Sequence, residues 1–485
     1  MEFLMLFAIL FPMAAALGLC SRRISGDLRL LHGYVFGAAL VNSLALLYVT
    51  FFARLEPVTL LHFTQGLDVT LAADGLSRVF ILIIAVLWPL TTLYAFDYMK
   101  HEGGEPRFFA FFLLSYGVCS GIAFAGNMVT LYMFFEMLTL ATLPLVMHKM
   151  DDKARFAGRR YLLYSMAGAA LGFIAIVFSY VYGSGGGFVL GGTMGTAFDA
   201  QTANTLRVAF TLAFFGFGVK AALFPMSLWL PTASVAPTPV TALLHAAAVV
   251  KAGAFACIRL TYYTFGVELL RGTFAQYIPM AAAIVTIAGG SLLALRQNHL
   301  KRRLAWSTVS NLSYILFSVT LMSNLALKAA CMHMLAHAFI KITLFFGVGC
   351  ILVTTEKEYL DEIGGLAGRL PVTFGCFTIA SAALMGVPPL PGFFSKWIIG
   401  TAAGYDGGWL PIAGIAALMF SAFLTALYLM SILSRAYFPA NGQIGRGERL
   451  ELTWMAPVQV LLCVLIVCMG IFNQDLQSCL DLWLF

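Results

Sequence analysis

Residues 238–260 read "TPVTALLHAAAVVKAGAFACIRL". The run is long enough to cross a bilayer as one helix, for which about 20 apolar residues suffice, yet it carries His245 and Lys251 in its interior. A charged side chain at the bilayer centre costs on the order of 2.5–3.5 kcal/mol on insertion scales. Such a residue belongs in a bundle interior or along a wet path, and the rest of the chain decides between a local accident and a plan.

Of the 485 residues, 61% are hydrophobic and 11% charged, and the mean hydropathy of +0.89 excludes a soluble globular domain. Fourteen apolar runs stand out, at 1–20, 29–52, 76–96, 108–126, 128–148, 161–182, 208–230, 240–264, 274–295, 304–322, 326–354, 370–399, 410–433 and 454–472. The first is long enough to span and is followed by arginines rather than a small-residue cleavage site, so it reads as a membrane helix and not a removable signal. The expectation is an all-α membrane protein of about fourteen transmembrane helices forming one integral domain over 1–485.

Lys and Arg in short loops tend to stay in the cytoplasm. Loops after odd-numbered runs hold nineteen of the 29, namely Arg22, Arg23, Arg29, Lys100, Arg107, Lys149, Lys153, Arg155, Arg159, Arg160, Arg296, Lys301, Arg302, Arg303, Lys357, Arg369, Arg435, Arg446 and Arg449. The opposite side holds Arg54, Arg78, Arg207, Arg259, Arg271 and Lys328. Both termini are therefore expected on the non-cytoplasmic side of an energy-coupling inner membrane. This asymmetry accounts for the net charge of +7 without a nucleic acid partner.

Several function classes drop out. The nine cysteines are scattered, with no C-x-x-C and no Cys/His spacing suited to zinc, iron–sulfur or haem. There is no Walker A loop, and the Gly-rich "GSGGGFVLGGTMG" (183–195) follows a membrane run and opens no βαβ unit, so it reads as a loop. No cofactor, metal, redox centre or nucleotide site is expected on this chain.

Four lysines remain within the runs, Lys220, Lys251, Lys341 and Lys396, with one acidic residue, Glu136 in "LYMFFEMLTLATLPL". The plainer readings are snorkelling to the interface for Lys341 and Lys396 and a helix-stapling ion pair for Glu136. Against them, His333, His337 and Lys341 recur at i, i+4 and i+8 in "CMHMLAHAFIKITLFF", which places a polar stripe on one helix face. A lysine withdrawn from water loses stability in its charged form and a carboxylate restores it, while histidine titrates near neutrality. Joined by water, such groups pass protons sideways through the bundle.

Two runs contain breakers. In "FGFGVKAALFPMSLWLPTASVAPTPV" (215–240) Lys220 precedes Pro225, followed by Pro237 and Pro239, and a break is predicted near Phe224. In "ASAALMGVPPLPGFFSKWIIG" (380–400) Gly386, Pro388, Pro389 and Pro391 precede Lys396. Non-helical backbone at membrane depth is tolerated where protein buries it or it lines a wet cavity. The breaks lie five runs apart, as expected for two inverted five-helix repeats, 108–264 and 274–433, behind three N-terminal helices (1–107) and before a fourteenth at 454–472.

The stretch "VKAALFPMSLWLPTASVAPTPVTALLHAAAVVKAGAFACIRL" (219–260) resembles the signature of the antiporter-like subunits shared by respiratory complex I, membrane-bound hydrogenases and Mrp-type cation/proton antiporters. "FFEMLTLATLPLV", "HLKRRLAWSTVSNLSYILFS", "HMLAHAFIKITLFF" and "GVPPLPGFFSKWII" extend the resemblance in order over about residues 94 to 400. It implies fourteen core helices with the seventh and twelfth broken. It also implies that Glu136 pairs with Lys220, that Lys251 and His245 continue the path, that His333, His337 and Lys341 link the halves, and that Lys396 is the terminal proton site. Some members carry glutamate at that last position. The chain ends at Phe485, soon after the last run, so the largest complex I subunit of this kind, with its long lateral helix, is not expected.

The leading expectation is a proton-translocating subunit of a complex I or membrane hydrogenase type assembly, the ion-conducting part of an oxidoreductase complex. The alternative is the D subunit of an Mrp-type sodium/proton antiporter; a non-conducting structural subunit is a third reading. Moving one charge against 100 mV costs about 2.3 kcal/mol, so a chain without its own energy source needs other membrane subunits and, for a redox pump, a peripheral redox module.

Overall fold

The computed structural model describes residues 3–53, 55–64, 67–184, 187–195, 198–438 and 450–485. Arg54, Arg446 and Arg449 of the charge count, and part of the 183–195 loop, lie outside them. The main helices are α1 (Phe3–Gly18), α2 (Leu28–Phe51), α3 (Gly75–Glu102), α4 (Glu105–Ala123), α5 (Met128–Val146), α6 (Asp152–Tyr182) and α7 (Ala200–Gly218). They continue with α8 (Thr238–Ala246), α9 (Val249–Ile258), α10 (Phe274–Arg296), α11 (Leu300–Thr320), α12 (Asn324–Thr355) and α13 (Pro371–Met385). The chain closes with α14 (Pro391–Asp406), α15 (Trp409–Tyr437), α16 (Met455–Ile471) and α17 (Asn473–Leu484). Every apolar run of the sequence overlaps one of these helices or a broken pair of them. Nine helical stretches of the described residues are long and apolar enough to cross a membrane. Polar caps set many helix starts: the side chains of Asp74, Asn127, Asp151 and Ser323 accept from the backbone N–H of Ser77, Thr130, Ala154 and Ala326.

The molecule is organised around α12, which packs against α3, α8, α11, α13, α14 and α16. Its residues from Ala329 to Ile351 are buried without exception. Helix α6 meets α7 through Gly168, Gly172 and Gly216, where an added Cβ would strike the facing helix; small residues let two membrane helices approach this closely.

Both predicted breaks exist, but the first begins six residues before Phe224. Helix α7 stops at Gly218, and the chain passes through Ala222 in a left-handed conformation (φ 57°) before a short helix at Trp229–Ala233. Its polar backbone is not left bare: Trp229 Nε1 donates to Val219 O at 2.7 Å, Leu223 N to Gly218 O at 3.0 Å, and Phe224 N to Thr286 Oγ1 at 3.0 Å. This satisfaction makes the break tolerable at membrane depth. The second break turns at Gly386, whose φ of 97° favours glycine, and Pro391 starts α14 where a missing N–H costs nothing.

Four expectations need correction. The run 240–264 is not one regular helix: α8 and α9 are parted at Ala247–Ala248, whose N–H groups both donate to Leu243 O, and α9 continues as a π-helical turn, Arg259–Phe265. Arg259, assigned to a loop, lies in that turn and is 1% exposed. Lys301 and Arg303, also assigned to a loop, are buried in the first turn of α11, where their long side chains reach the Ala236 and Tyr428 carbonyls at 3.2 and 2.9 Å. The fold is not purely helical either: Val58–Thr64 (β1) and Leu67–Leu71 (β2) form an antiparallel hairpin, with Val58 opposite Leu71. Its end is tied to the α4–α5 turn by Gly126 N donating to Thr70 O and Asn127 Nδ2 to Asp68 O. Helix α17, which follows the last apolar run, bends 79° from α16 and packs against α3.

Candidate functional site

Helix α12 presents His333, His337 and Lys341 to three different neighbours. His337 Nδ1 lies 2.5 Å from Lys251 Nζ on α9, His333 Nδ1 lies 2.9 Å from Ser395 Oγ on α14, and Lys341 donates to Leu304 O at 3.1 Å and to Ser307 Oγ on α11. Eight residues advance a helix by two turns and roughly 80° more, so one face in sequence fans out towards separate partners. The two imidazoles remain neighbours, with ring centroids 5.9 Å apart.

Lys251 and His337 are both fully buried. At 2.5 Å the two nitrogens are hydrogen-bonded, which requires a proton on one and a lone pair on the other. The contact therefore holds a proton between two sites.

Lys220 sits just past the end of α7, in the break. Its ammonium donates to the Phe135 carbonyl, lies 3.4 Å from Glu136 Oε1, and stands 3.5 Å from the centroid of the Phe135 ring. The pair is lopsided: the Lys220 side chain is 1% exposed and that of Glu136 28%. Lys220 reaches Lys251 through backbone, not through a direct bond. A Cβ on Gly253, two residues beyond Lys251, would lie 3.0 Å from Lys220 Cβ.

Lys396 occupies the second half of the other break. Its Nζ donates to Leu384 O at 2.5 Å and Met385 O at 3.1 Å, carbonyls left without helical partners where α13 ends. The ammonium also stands 5.6 Å from the centroid of Tyr314, whose ring is 5.3 Å from His333 and whose hydroxyl donates to Ser421 Oγ at 2.8 Å. Tyr314 thus lies between the α12 histidines and Lys396.

His245 stands apart. Its ring lies against Phe345 at 4.7 Å, and neither nitrogen has a hydrogen-bond partner among the described residues; the helix interruption separates it from Lys251. The Nε2 atoms of His333 and His337 are likewise buried without a partner among the described residues. Of the four lysines only Lys220 has a carboxylate within 4.0 Å among the described residues.

Sequence reasoning passed over Tyr314, Ser395 and Ser307, although the buried helix "WSTVSNLSY" (306–314) shows part of their signal: repeated hydroxyl residues in a membrane run. It also missed a second buried ion pair. Arg259 donates to both carboxylate oxygens of Asp74 at the start of α3, and to Ser77 Oγ at 3.1 Å. Burial works against the Asp74 carboxylate, but the guanidinium and Ser77 outweigh it and hold its carboxyl below the usual range.

Comparison with known proteins agrees with this arrangement. The family described as NADH:quinone oxidoreductase/Mrp antiporter, TM matches residues 125–425, and that described as NADH-Ubiquinone oxidoreductase (complex I), chain 5 N-terminus matches 63–109. NADH-quinone oxidoreductase subunit N of Desulforudis audaxviator (strain MP104C) is 32% identical over 435 residues, 84% of this chain and 83% of that protein. A Na(+)/H(+) antiporter subunit of Alkalihalophilus pseudofirmus (strain ATCC BAA-2126 / JCM 17055 / OF4) is 33% identical over 355 residues, 70% of this chain but only 43% of that protein. Among solved structures, the membrane-bound sulfane sulfur reductase, an archaeal respiratory membrane complex, contains a chain of the same fold, with a TM-score of 0.85 at 24% identity, covering 98% of this chain and 96% of that one.

Proposed function

Because this chain belongs to the NADH:quinone oxidoreductase/Mrp antiporter transmembrane family, we propose that it is the proton-translocating, antiporter-like subunit of a multisubunit energy-converting membrane complex. Protons pass along Lys251, His337, His333 and Lys396, with the Glu136–Lys220 pair controlling loading at one end and Lys341 and His245 flanking the row. The observation that carries this reading is the Lys251–His337 contact of 2.5 Å in a fully buried setting. The buried imidazole nitrogens without partners among the described residues support it, since an unsatisfied buried polar group costs roughly 1–3 kcal/mol and water along the row relieves that cost.

The two broken helices support the finer architecture that we adopt: fourteen spans, two inverted five-helix units at 108–264 and 274–433, and both termini on the non-cytoplasmic side. In each break a lysine ammonium binds main-chain carbonyls, Phe135 for Lys220 and Leu384 with Met385 for Lys396. The chain carries no redox or nucleotide motif, so partner subunits supply the driving force, whether a redox module or an ion gradient. Similarity to a Na(+)/H(+) antiporter subunit favours a second reading, the D subunit of an Mrp-type exchanger.

Substituting Lys220 or Lys396 by alanine in the native complex tests the proposal. Translocation per driving turnover falls at least tenfold in each if they carry protons. Unchanged translocation in both leaves a structural subunit.

A further inference from the structure

On the face that carries the β1–β2 hairpin, a cavity of about 480 Å³ is lined by Thr59, Asp68, Thr70, Asp74, Asn127 and Arg259, among others. At roughly 30 Å³ per water it holds on the order of a dozen. Its inner wall is the Asp74–Arg259 pair. The guanidinium, 1% exposed, is packed 4.7 Å from the Phe188 ring, 4.7 Å from Tyr263 and 5.0 Å from Phe255. Its Nε is buried without a partner among the described residues.

One helical turn deeper, Phe255 meets Phe80 of α3 with ring centroids 5.1 Å apart, and neither side chain is exposed. One turn deeper again is Lys251, hydrogen-bonded to His337. Residues 259, 255 and 251 recur every fourth position on one helix, so they stack along a single face. The order from the cavity inwards is ion pair, aromatic plug, proton-holding lysine. A staple between α3 and α9 needs no water-filled cavity on one side of it and no ionisable row on the other. The helix also changes from α to π at Arg259, and single π turns inside α-helices concentrate at functional sites.

We propose that Asp74 and Arg259, with the Phe80–Phe255 plug beneath them, form a gate that admits water and protons from the hairpin face to the row of lysines and histidines. This rests on the relay reading above. The structure holds the gate shut: the ion pair is closed, and the rings separate the cavity from Lys251. Opening requires the guanidinium to leave Asp74 and the Phe255 ring to turn away from Phe80.

The test uses sealed vesicles bearing the assembled complex, without its driving reaction, under an imposed pH difference followed by an internal pH-sensitive dye. Phe255→Ala is expected to speed the decay at least tenfold, and adding Lys251→Met to return it to background. Asp74→Asn, which preserves shape, is expected to slow driven translocation at least fivefold per assembled complex. If Phe255→Ala prevents assembly, this second measurement decides alone. Decay and driven rates both unchanged in the assembled variants overturn the gate and leave the pair a staple. Fast decay that persists after Lys251→Met still supports a gate at this position but removes Lys251 from the path, so failure of the relay reading is told apart from failure of the gate.

Discussion

Lys251→Met keeps the length and approximate volume of the side chain while removing the nitrogen that stands 2.5 Å from His337. A hydrogen bond to an ionised group contributes roughly 1.5–3 kcal/mol, and each 1.36 kcal/mol in a barrier is about tenfold in rate. Proton passage between α9 and α12 should therefore slow roughly 10- to 160-fold. His337→Gln keeps a hydrogen-bonding group but abolishes titration, and alone it should slow passage comparably. Residues that act as one unit are not additive, so the double variant should be no more than about twofold slower than the worse single one. Independent sites would instead multiply. The assay is acridine-dye quenching in vesicles of the native complex, normalised to the driving reaction measured in the same sample. Assembled Lys251→Met complex that translocates within twofold of the unsubstituted one refutes the relay, and multiplication in the double variant refutes the coupling.

Gly386→Ala forces a β-carbon into a residue with φ of 97° and within 3.4 Å of Lys396 Cδ; a loss of about 1–2 kcal/mol, read as a lower thermal midpoint in detergent, is expected along with reduced translocation. Trp229→Phe deletes the 2.7 Å donor to the Val219 carbonyl inside the first break. It should lower stability by roughly 1–3 kcal/mol in denaturant titration, with a larger effect on translocation than Trp→Phe changes elsewhere. For Asp74 the folded carboxyl titrates below its unfolded value. The stability it contributes is thus present above about pH 3.9 and is lost as pH falls through the lower folded value. The difference in midpoint between the unsubstituted chain and Asp74→Asn should accordingly stay flat from pH 8 to 5 and shrink only in stronger acid.

The parts of the site that were legible in sequence are those where a residue violates its surroundings. A lysine in an apolar run, as at Lys251, or a proline cluster beside Lys396, is costly enough to mark function or fracture. Less legible was where backbone gives way without a breaker. "HAAAVVKAG" (245–253) contains no proline, yet α8 and α9 part at Ala247–Ala248, an interruption imposed by packing and not by propensity. Arg259 was misplaced because a cation near the end of a run looks like a loop residue until its carboxylate, 185 positions away, is known. The hairpin and α17 were missed for a related reason: the short strand pattern of 58–71 and the amphipathic tail at 473–484 gain their order from the helices they rest on. Contacts such as Tyr314 with Lys396 are long-range, and no spacing rule announces them.

The Lys396 ammonium is the cap of the helix that ends at Met385, filling carbonyls that would otherwise face nothing. When that nitrogen gives up its proton it keeps two hydrogens but loses the charge that the helix end attracts. Occupancy by a single proton is thereby translated into tension on a joint, and a bundle made of stiff rods acquires, at this one glycine, a place where chemistry moves mass.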